Sequence, residues 1–221
     1  MFNQVAPDFL LPYLSEPDAR ISKWFLTNSY IYMIIAVLLY FLALKFGKQF
    51  MKNREPYQLK NVLLLYNSFQ ALFSLFIFLS VAISAYQLNY KLICQDKNFD
   101  IGAPGQRMVE GFWYFLLSKY IDMLDTLFFI LRKKDNQLSF LHCYHHSITL
   151  ITTYTLCVFY PGGHLFFGIL ANSFVHVIMY SYYFLAALGP AIQKYLWWKR
   201  YLTQLQLVRI YHIGTNHFVY W

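Results

Sequence analysis

Apolar positions along the chain fall in long runs separated by short polar stretches. A bilayer's hydrocarbon core needs about 20 predominantly apolar residues per helix. That window marks six predicted spans: Ser29 to Leu44, Val62 to Tyr90, Phe112 to Leu131, Leu138 to Tyr160, Leu165 to Leu188 and Tyr195 to Tyr211. The second is long enough to tilt or kink. The sixth is the weakest, because it carries Lys199, Arg200, Thr203, Gln204, Gln206 and Arg209. Breakers fit the gaps: Pro56 before the second span, Gly102, Pro104 and Gly105 before the third, Pro161-Gly162-Gly163 between the fourth and fifth, and Gly189-Pro190 before the sixth. No internal repeat or long linker divides the chain, so residues 1–221 read as one all-α polytopic membrane domain.

Composition agrees with a membrane protein. Of 221 residues, 58% are hydrophobic, 21% aromatic and 13% charged, with a mean hydropathy of +0.38, whereas soluble domains carry about 25% charged residues. The formal charge of +8 could suggest nucleic acid, but there is no basic stripe and no soluble domain to display one, which excludes nucleic acid as a partner. Cys94, Cys143 and Cys157 have no metal-like spacing, which excludes a disulfide-stapled module and a zinc ribbon. The first 24 residues hold acidic groups, Pro7, Pro12 and Pro17 and no continuous apolar core, so no signal peptide is expected.

Short basic loops stay cytoplasmic, and the first, third and fifth predicted loops are basic. They hold Lys45, Lys48, Lys52, Arg54 and Lys60, then Arg132, Lys133 and Lys134, then Lys194, Lys199 and Arg200. The amino terminus is therefore expected on the lumenal or exterior side, and six spans return the carboxyl end there.

Ionisable groups at bilayer depth are costly unless they face protein or water, so they suggest a functional site. In the third span Lys119, Asp122 and Asp125 lie at three-residue intervals on one helix face. The fourth begins Leu141-His142-Cys143-Tyr144-His145-His146; the fifth aligns Asn172, His176, Met179, Tyr180 and Tyr183 on one stripe, and the sixth aligns Lys199, Thr203 and Gln206. At 1.5 Å per residue, Asp125, His145, His146, Thr203, Asp122, His176, Lys119 and Gln206 all fall about 9–18 Å from the cytoplasmic ends of their spans. Four helices thus bring polar residues to one layer, below a mouth carrying Arg132, Lys134 and Lys199. Such a site suits an anionic head group joined to an apolar chain, and an acyl-CoA is such a molecule. Packing alone explains some of these residues: Lys119 with Asp122 makes a neutralising pair, the tyrosines suit an interfacial belt, Met179, Cys143 and Cys157 fill core, and His164, His212 and His217 are surface histidines. It does not explain three histidines in five residues.

On these residues the chain resembles the very-long-chain fatty-acid elongase (ELO) family, the 3-ketoacyl-CoA synthases. The box H-x-x-H-H matches His142, His145 and His146. The box K-x-x-E-x-x-D-T matches Lys119, Asp125 and Thr126, with Asp122 where the family usually has Glu. N-x-x-x-H-x-x-M-Y-x-Y-Y is complete in Asn172, His176, Met179, Tyr180, Tyr182 and Tyr183, and T-x-x-Q-x-x-Q matches Thr203 and Gln206, with Arg209 replacing the final Gln. The family resembles a seven-helix inverted barrel around an acyl tunnel. Six predicted spans ending at Trp221 therefore imply that the last transmembrane helix is missing, and the chain is expected to be incomplete at its C-terminus.

The resemblance implies condensation of a long-chain acyl-CoA with malonyl-CoA in the endoplasmic reticulum membrane, without a cofactor or metal. His145 is expected to form an acyl-imidazole, His142 and His146 to orient or protonate, and His176 to position the malonyl enolate. Arg132, Lys134, Gln137 and Lys199 are expected at the CoA phosphates and adenine. Lys119, His142, Tyr182, Thr203 and Gln206 are expected at the thioester and pantetheine, and Asp122, Asp125 and Asn172 join the substrate-binding set. Membrane lipid, another elongase in a homo- or heterodimer, and the reductase and dehydratase of the same cycle are the expected partners. Two other readings remain: an inactive short variant that scaffolds complete elongases, and a di-iron lipid desaturase or hydroxylase. The latter needs roughly eight histidines on one face, and only four of the seven here share a depth.

Overall fold

The computed structural model describes residues 16–91, 102–163, 165–202 and 204–205. Among them there is no strand, and five long helices form the body. These are α1 (Ile31–Met51), α2 (Lys60–Gln87), α3 (Ala103–Leu131), α4 (Phe140–Phe159) and α5 (Leu165–Leu188), followed by the four-residue α6 (Pro190–Gln193). Three of them, α1, α2 and α5, are long and apolar enough to cross a bilayer. The other two have the length, 29 and 20 residues, but α3 carries Lys119, Asp122 and Asp125 and α4 carries the histidines.

The expected spans and the helices differ at their ends. α5 coincides with its span, while α1 runs on to Met51 rather than stopping at Leu44. α3 begins at Ala103 instead of Phe112, with Gly102 at φ 132° before it and Pro104 in its first turn. Proline is preorganised there because the amide hydrogen it lacks has no helical partner at that position. Tyr195 to Trp198 are turn and coil, and helical backbone resumes at Lys199. The remainder of the sixth expected span, beyond Leu205, lies outside the described residues, as does Thr203.

α2 packs most extensively on α5, α3 lies between α2 and α4, and α1 lies against α3. Outward faces are apolar, as in Leu38, Leu39, Leu65 and Leu72, which suits lipid contact. Between helices immersed in lipid, close approach depends on small residues. Gly111 supplies one: a Cβ there would stand 2.5 Å from Val81 Cγ2. The segment before α1 crosses the ends of α3 and α4 that lie far from the histidines. The Asp18 amide donates to the Val158 carbonyl at 2.9 Å, Trp113 Nε1 donates to the Phe25 carbonyl at 2.8 Å, and Ile21 is fully buried among Phe112, Tyr154 and Val158.

At the histidine end the chain reverses tightly between α3 and α4. The Lys133 amide donates to the Ile130 carbonyl and the Lys134 amide to the Phe129 carbonyl, with Lys133 at φ 52°. This is a Schellman stop with a left-handed residue after the helix. A single 3-10 turn, Asp135–Gln137, follows, and Ser139 then caps α4 by accepting the His142 amide at 3.1 Å. The cap lets the histidine sequence begin a helix beside the last turns of α3.

Candidate functional site

Lys119, Asp122 and Thr126 form one stripe of α3, and each is at most 4% exposed. Around it the neighbouring helices supply partners. Lys119 Nζ donates to Asp122 Oδ2 at 2.7 Å and to Asn172 Oδ1 on α5 at 3.1 Å, and lies 4.7 Å from the centre of the Phe115 ring. Asp122 Oδ1 accepts from Gln70 Nε2 on α2 at 2.6 Å and from the Tyr180 hydroxyl on α5 at 3.0 Å. His176 Nδ1 stands 3.7 Å from Asp122 Oδ2. The Tyr180 hydroxyl also donates to Asp125 Oδ2 at 2.8 Å, so one hydroxyl serves two carboxylates. A buried charge survives only when paired and hydrogen-bonded. Asp122 satisfies this condition with an ammonium and two further donors.

A second network joins α1, α3 and α4. The Tyr40 hydroxyl lies 3.0 Å from Thr126 Oγ1, which lies 2.8 Å from His142 Nε2. The His142 and His146 rings are 4.4 Å apart between centres, and His145 meets His146 edge-on at 5.6 Å. Asp122 is within electrostatic reach of both His146 and His176. One wall of the site therefore holds a fixed anion with its ammonium, and the other holds half-buried imidazoles. Among the described residues no three His, Cys, Asp or Glu side chains are grouped as metal ligands.

The chain matches the ELO: GNS1/SUR4 family over residues 25–221. It belongs to the ELO family. This ELO chain is 46% identical over 204 residues to very long chain fatty acid elongase 4 of Macaca mulatta, a match covering 92% of this chain and 64% of that one. It is 40% identical over 209 residues to very long chain fatty acid elongase 2 of Mus musculus, covering 94% and 70% of the two chains. It is 39% identical over 208 residues to very long chain fatty acid elongase 7 of Drosophila melanogaster, covering 94% and 59%. The chain thus spans about 64% of the length of the elongase 4 relative.

The ELO boxes read from the sequence come together unevenly. Lys119, Asp122, Asp125, Asn172 and His176 share one network, and His142, His145 and His146 stand together across α3 from it. Arg132, Lys134 and Gln137 sit at the α3–α4 reversal, Arg132 half-buried and the other two exposed. Lys199 is exposed after α6, and Tyr182 packs on Trp198 at 5.1 Å. Thr203 and Gln206 lie outside the described residues. Of the residues expected to contact substrate, Lys119 donates to both Asp122 and Asn172.

Three participants escaped the sequence reading. Gln70 is 1% exposed and holds Asp122. The Tyr66 hydroxyl donates to the Ile121 carbonyl at 3.2 Å, and its ring meets Tyr180. Tyr40 reaches the histidine wall through Thr126. The available signal for Gln70 was an amide at bilayer depth, which must find a partner inside the protein.

Proposed function

We propose that this ELO chain carries the condensing site of very-long-chain fatty-acid elongation, joining a long-chain acyl-CoA to malonyl-CoA to give a 3-oxoacyl-CoA, CO2 and CoA. One observation carries the reading: in an ELO-family chain, buried residues of α2, α3 and α5 fix an ammonium–carboxylate pair 3.7 Å from the His176 imidazole and within electrostatic reach of His146 on α4. An imidazole is a competent nucleophile toward a thioester when neutral. His145 attacks the acyl carbon, a bond forms from ring nitrogen to carbon, the carbon–sulfur bond breaks, and CoA leaves as thiolate. The acylated His145 ring gives up its N–H proton, which the thiolate takes, and His142 and His146 orient the site for that transfer. Malonyl-CoA then loses CO2, the electron pair of the broken bond forms the enolate, its α-carbon takes the acyl group, and the released His145 ring takes a proton from water to return to its neutral form. His176 steadies the enolate oxygen.

Arg132, Lys134, Gln137 and Lys199 hold the phosphates and adenine of CoA, because phosphates at a membrane mouth call for fixed positive charge. Lys119, Tyr182, Thr203 and Gln206 line the pantetheine path, where Asp122, Asp125 and Asn172 keep Lys119 in place. The site opens to the cytosol from the endoplasmic reticulum membrane, with the amino terminus lumenal. The product passes to the reductase and dehydratase that complete the cycle.

The test is a condensation assay in proteoliposomes with labelled malonyl-CoA and a panel of acyl-CoAs. The wild-type chain is expected to release labelled CO2 and form 3-oxoacyl-CoA, and His145→Ala to do neither. Incubation with acyl-CoA alone should leave an acyl adduct on His145 detectable by mass spectrometry. An active His145→Ala variant would remove His145 as nucleophile, and an inactive wild type would refute condensation by this chain.

A further inference from the structure

Tyr40 belongs to none of the ELO boxes, yet its hydroxyl is the outer member of a buried chain that ends on a histidine of the central one. Tyr40 on α1 is 5% exposed and Thr126 on α3 is 2% exposed. Water therefore has little access to replace either hydroxyl. The three atoms, Tyr40 Oη, Thr126 Oγ1 and His142 Nε2, are linked at 3.0 and 2.8 Å.

Three proton arrangements satisfy both links, and the one in which Thr126 Oγ1 accepts from both neighbours leaves its own buried proton with no acceptor among the described residues, which is costly; two remain. In one, the Tyr40 hydroxyl donates to Thr126 Oγ1 and the Thr126 hydroxyl donates to His142 Nε2, so the neutral ring carries its proton on Nδ1. In the other, His142 Nε2–H donates to Thr126, Thr126 donates to Tyr40, and the Tyr40 proton must find an acceptor elsewhere. Besides Thr126, the Cys143 thiol is the group in hydrogen-bonding reach of the Tyr40 hydroxyl, while the Asp125 carboxyl acts on it only electrostatically, and a thiol is a weak acceptor. A buried phenolic proton with such an acceptor is costly. The first arrangement gives the Tyr40 and Thr126 protons acceptors of normal strength and leaves the Nδ1 proton of the half-buried His142 for the reacting layer, and there the thiol can donate weakly to the Tyr40 oxygen.

We propose that Tyr40 is a positioning residue that, acting through Thr126, fixes His142 as the Nδ1–H tautomer. The ring then presents a donor to the reacting layer instead of a lone pair. Resting on the condensation reading for its chemical use, this N–H serves the oxygen of the thioester carbonyl, where negative charge develops when a neighbouring imidazole attacks. His142 cannot then act as the nucleophile through Nε2, because that lone pair is spent on Thr126. This separates the roles of two histidines three residues apart.

The test is side-chain 15N NMR of histidine-labelled protein in detergent micelles, with the His142 signals assigned by their loss in His142→Gln. Wild type is expected to show an acceptor-type Nε2 and a protonated Nδ1 at His142. Tyr40→Phe keeps the ring and its packing but removes the donor, and should move both signals toward a mixture of tautomers. Thr126→Val should do the same, and Thr126→Ser should keep the wild-type pattern. In the condensation assay Tyr40→Phe should lower kcat by roughly 10- to 100-fold with KM for malonyl-CoA within about twofold of wild type, because orientation of the reacting group and not binding is lost. An Nε2–H tautomer in wild type, or a Tyr40→Phe spectrum identical to wild type, overturns the proposal. The tautomer pattern is read without substrate. Its presence in a chain that fails to condense would support the assignment while refuting the condensation reading.

Discussion

The Lys119–Asp122 pair offers a quantitative test because both groups are nearly inaccessible and their partners are known. Removing one member of a buried ion pair costs about 3–5 kcal/mol, since the other charge is left uncompensated. The two single losses should be unequal. In Lys119→Met the carboxylate keeps Gln70 and Tyr180 as donors and has His176 at 3.7 Å. Each hydrogen bond to a charge contributes about 1.5–3 kcal/mol, so the loss should lie near the lower figure, about 3 kcal/mol. In Asp122→Leu the ammonium keeps Asn172 and the Phe115 ring, while Gln70 Nε2 loses its acceptor; Tyr180 keeps Asp125. That adds an orphaned buried donor, and the loss should reach about 5 kcal/mol or more. The double variant carries neither charge, and its cost should fall short of the sum by about 2–3 kcal/mol. Thermal unfolding of purified protein in micelles, followed by tryptophan fluorescence, reads these values. At about 2–4 °C per kcal/mol for a chain of this size, Lys119→Met should lower Tm by roughly 6–12 °C. Single variants within about 2 °C of wild type, or a double variant as costly as the sum, would refute a coupled buried pair.

Three further outcomes follow from local geometry. Gly111→Ala should cost about 1–3 kcal/mol by overpacking, because the new methyl would meet the stiff, β-branched Val81 at 2.5 Å; adding Val81→Ala should recover most of the lost Tm. Ser139→Ala removes the cap from α4 and should cost about 1 kcal/mol, whereas Ser139→Asp should retain stability in the same unfolding assay. At the opposite end, burial raises the Asp18 pKa, but hydrogen bonds from the Arg20 side chain at 2.7 Å and the Arg20 amide at 2.9 Å outweigh it and hold the carboxyl below its ordinary range. A depressed carboxylate pKa contributes stability above its unfolded value, about 3.9, and that contribution fades as pH falls through the folded value. Asp18→Asn should therefore unfold at lower temperature than wild type at pH 7, with the gap closing below about pH 4; a gap constant between pH 7 and pH 3 would refute the pairing.

What the sequence discloses and what it hides divide along the range of the forces involved. Bilayer thickness acts on local apolar runs, so α5 emerges with its observed bounds and α2 within a few residues. The start of α3 is missed because residues 103–111 form about two and a half amphipathic turns: Met108 and Val109 are buried while Gln106 and Glu110 are half-buried and Arg107 is exposed, and an average over a long window cancels that pattern. Charges and histidines in apolar runs stand out, so α3, α4 and α5 disclose their polar stripes. Neutral partners do not stand out: Gln70 was legible in principle as a buried amide, but Tyr40 and Tyr66 look like ordinary membrane tyrosines until the packing of α1 and α2 against α3 is known. The two aspartates make the point most clearly. Asp122 and Asp125 lie three residues apart in one helix, and in sequence only the spacing of Lys119 from Asp122 sets them apart. Asp122 receives an ammonium, an amide and a hydroxyl from α3, α2 and α5, whereas Asp125 shares the Tyr180 hydroxyl with it. Beyond the local ammonium of Lys119, their difference comes from helices 50 or more positions away in the chain, and no local pattern can specify that part of the pairing. The same reasoning explains how Asp can stand where the family usually has Glu. Gln70 and Tyr180 both reach its shorter side chain on the α3 face, so the anion remains beside Lys119 and within reach of His146 and His176.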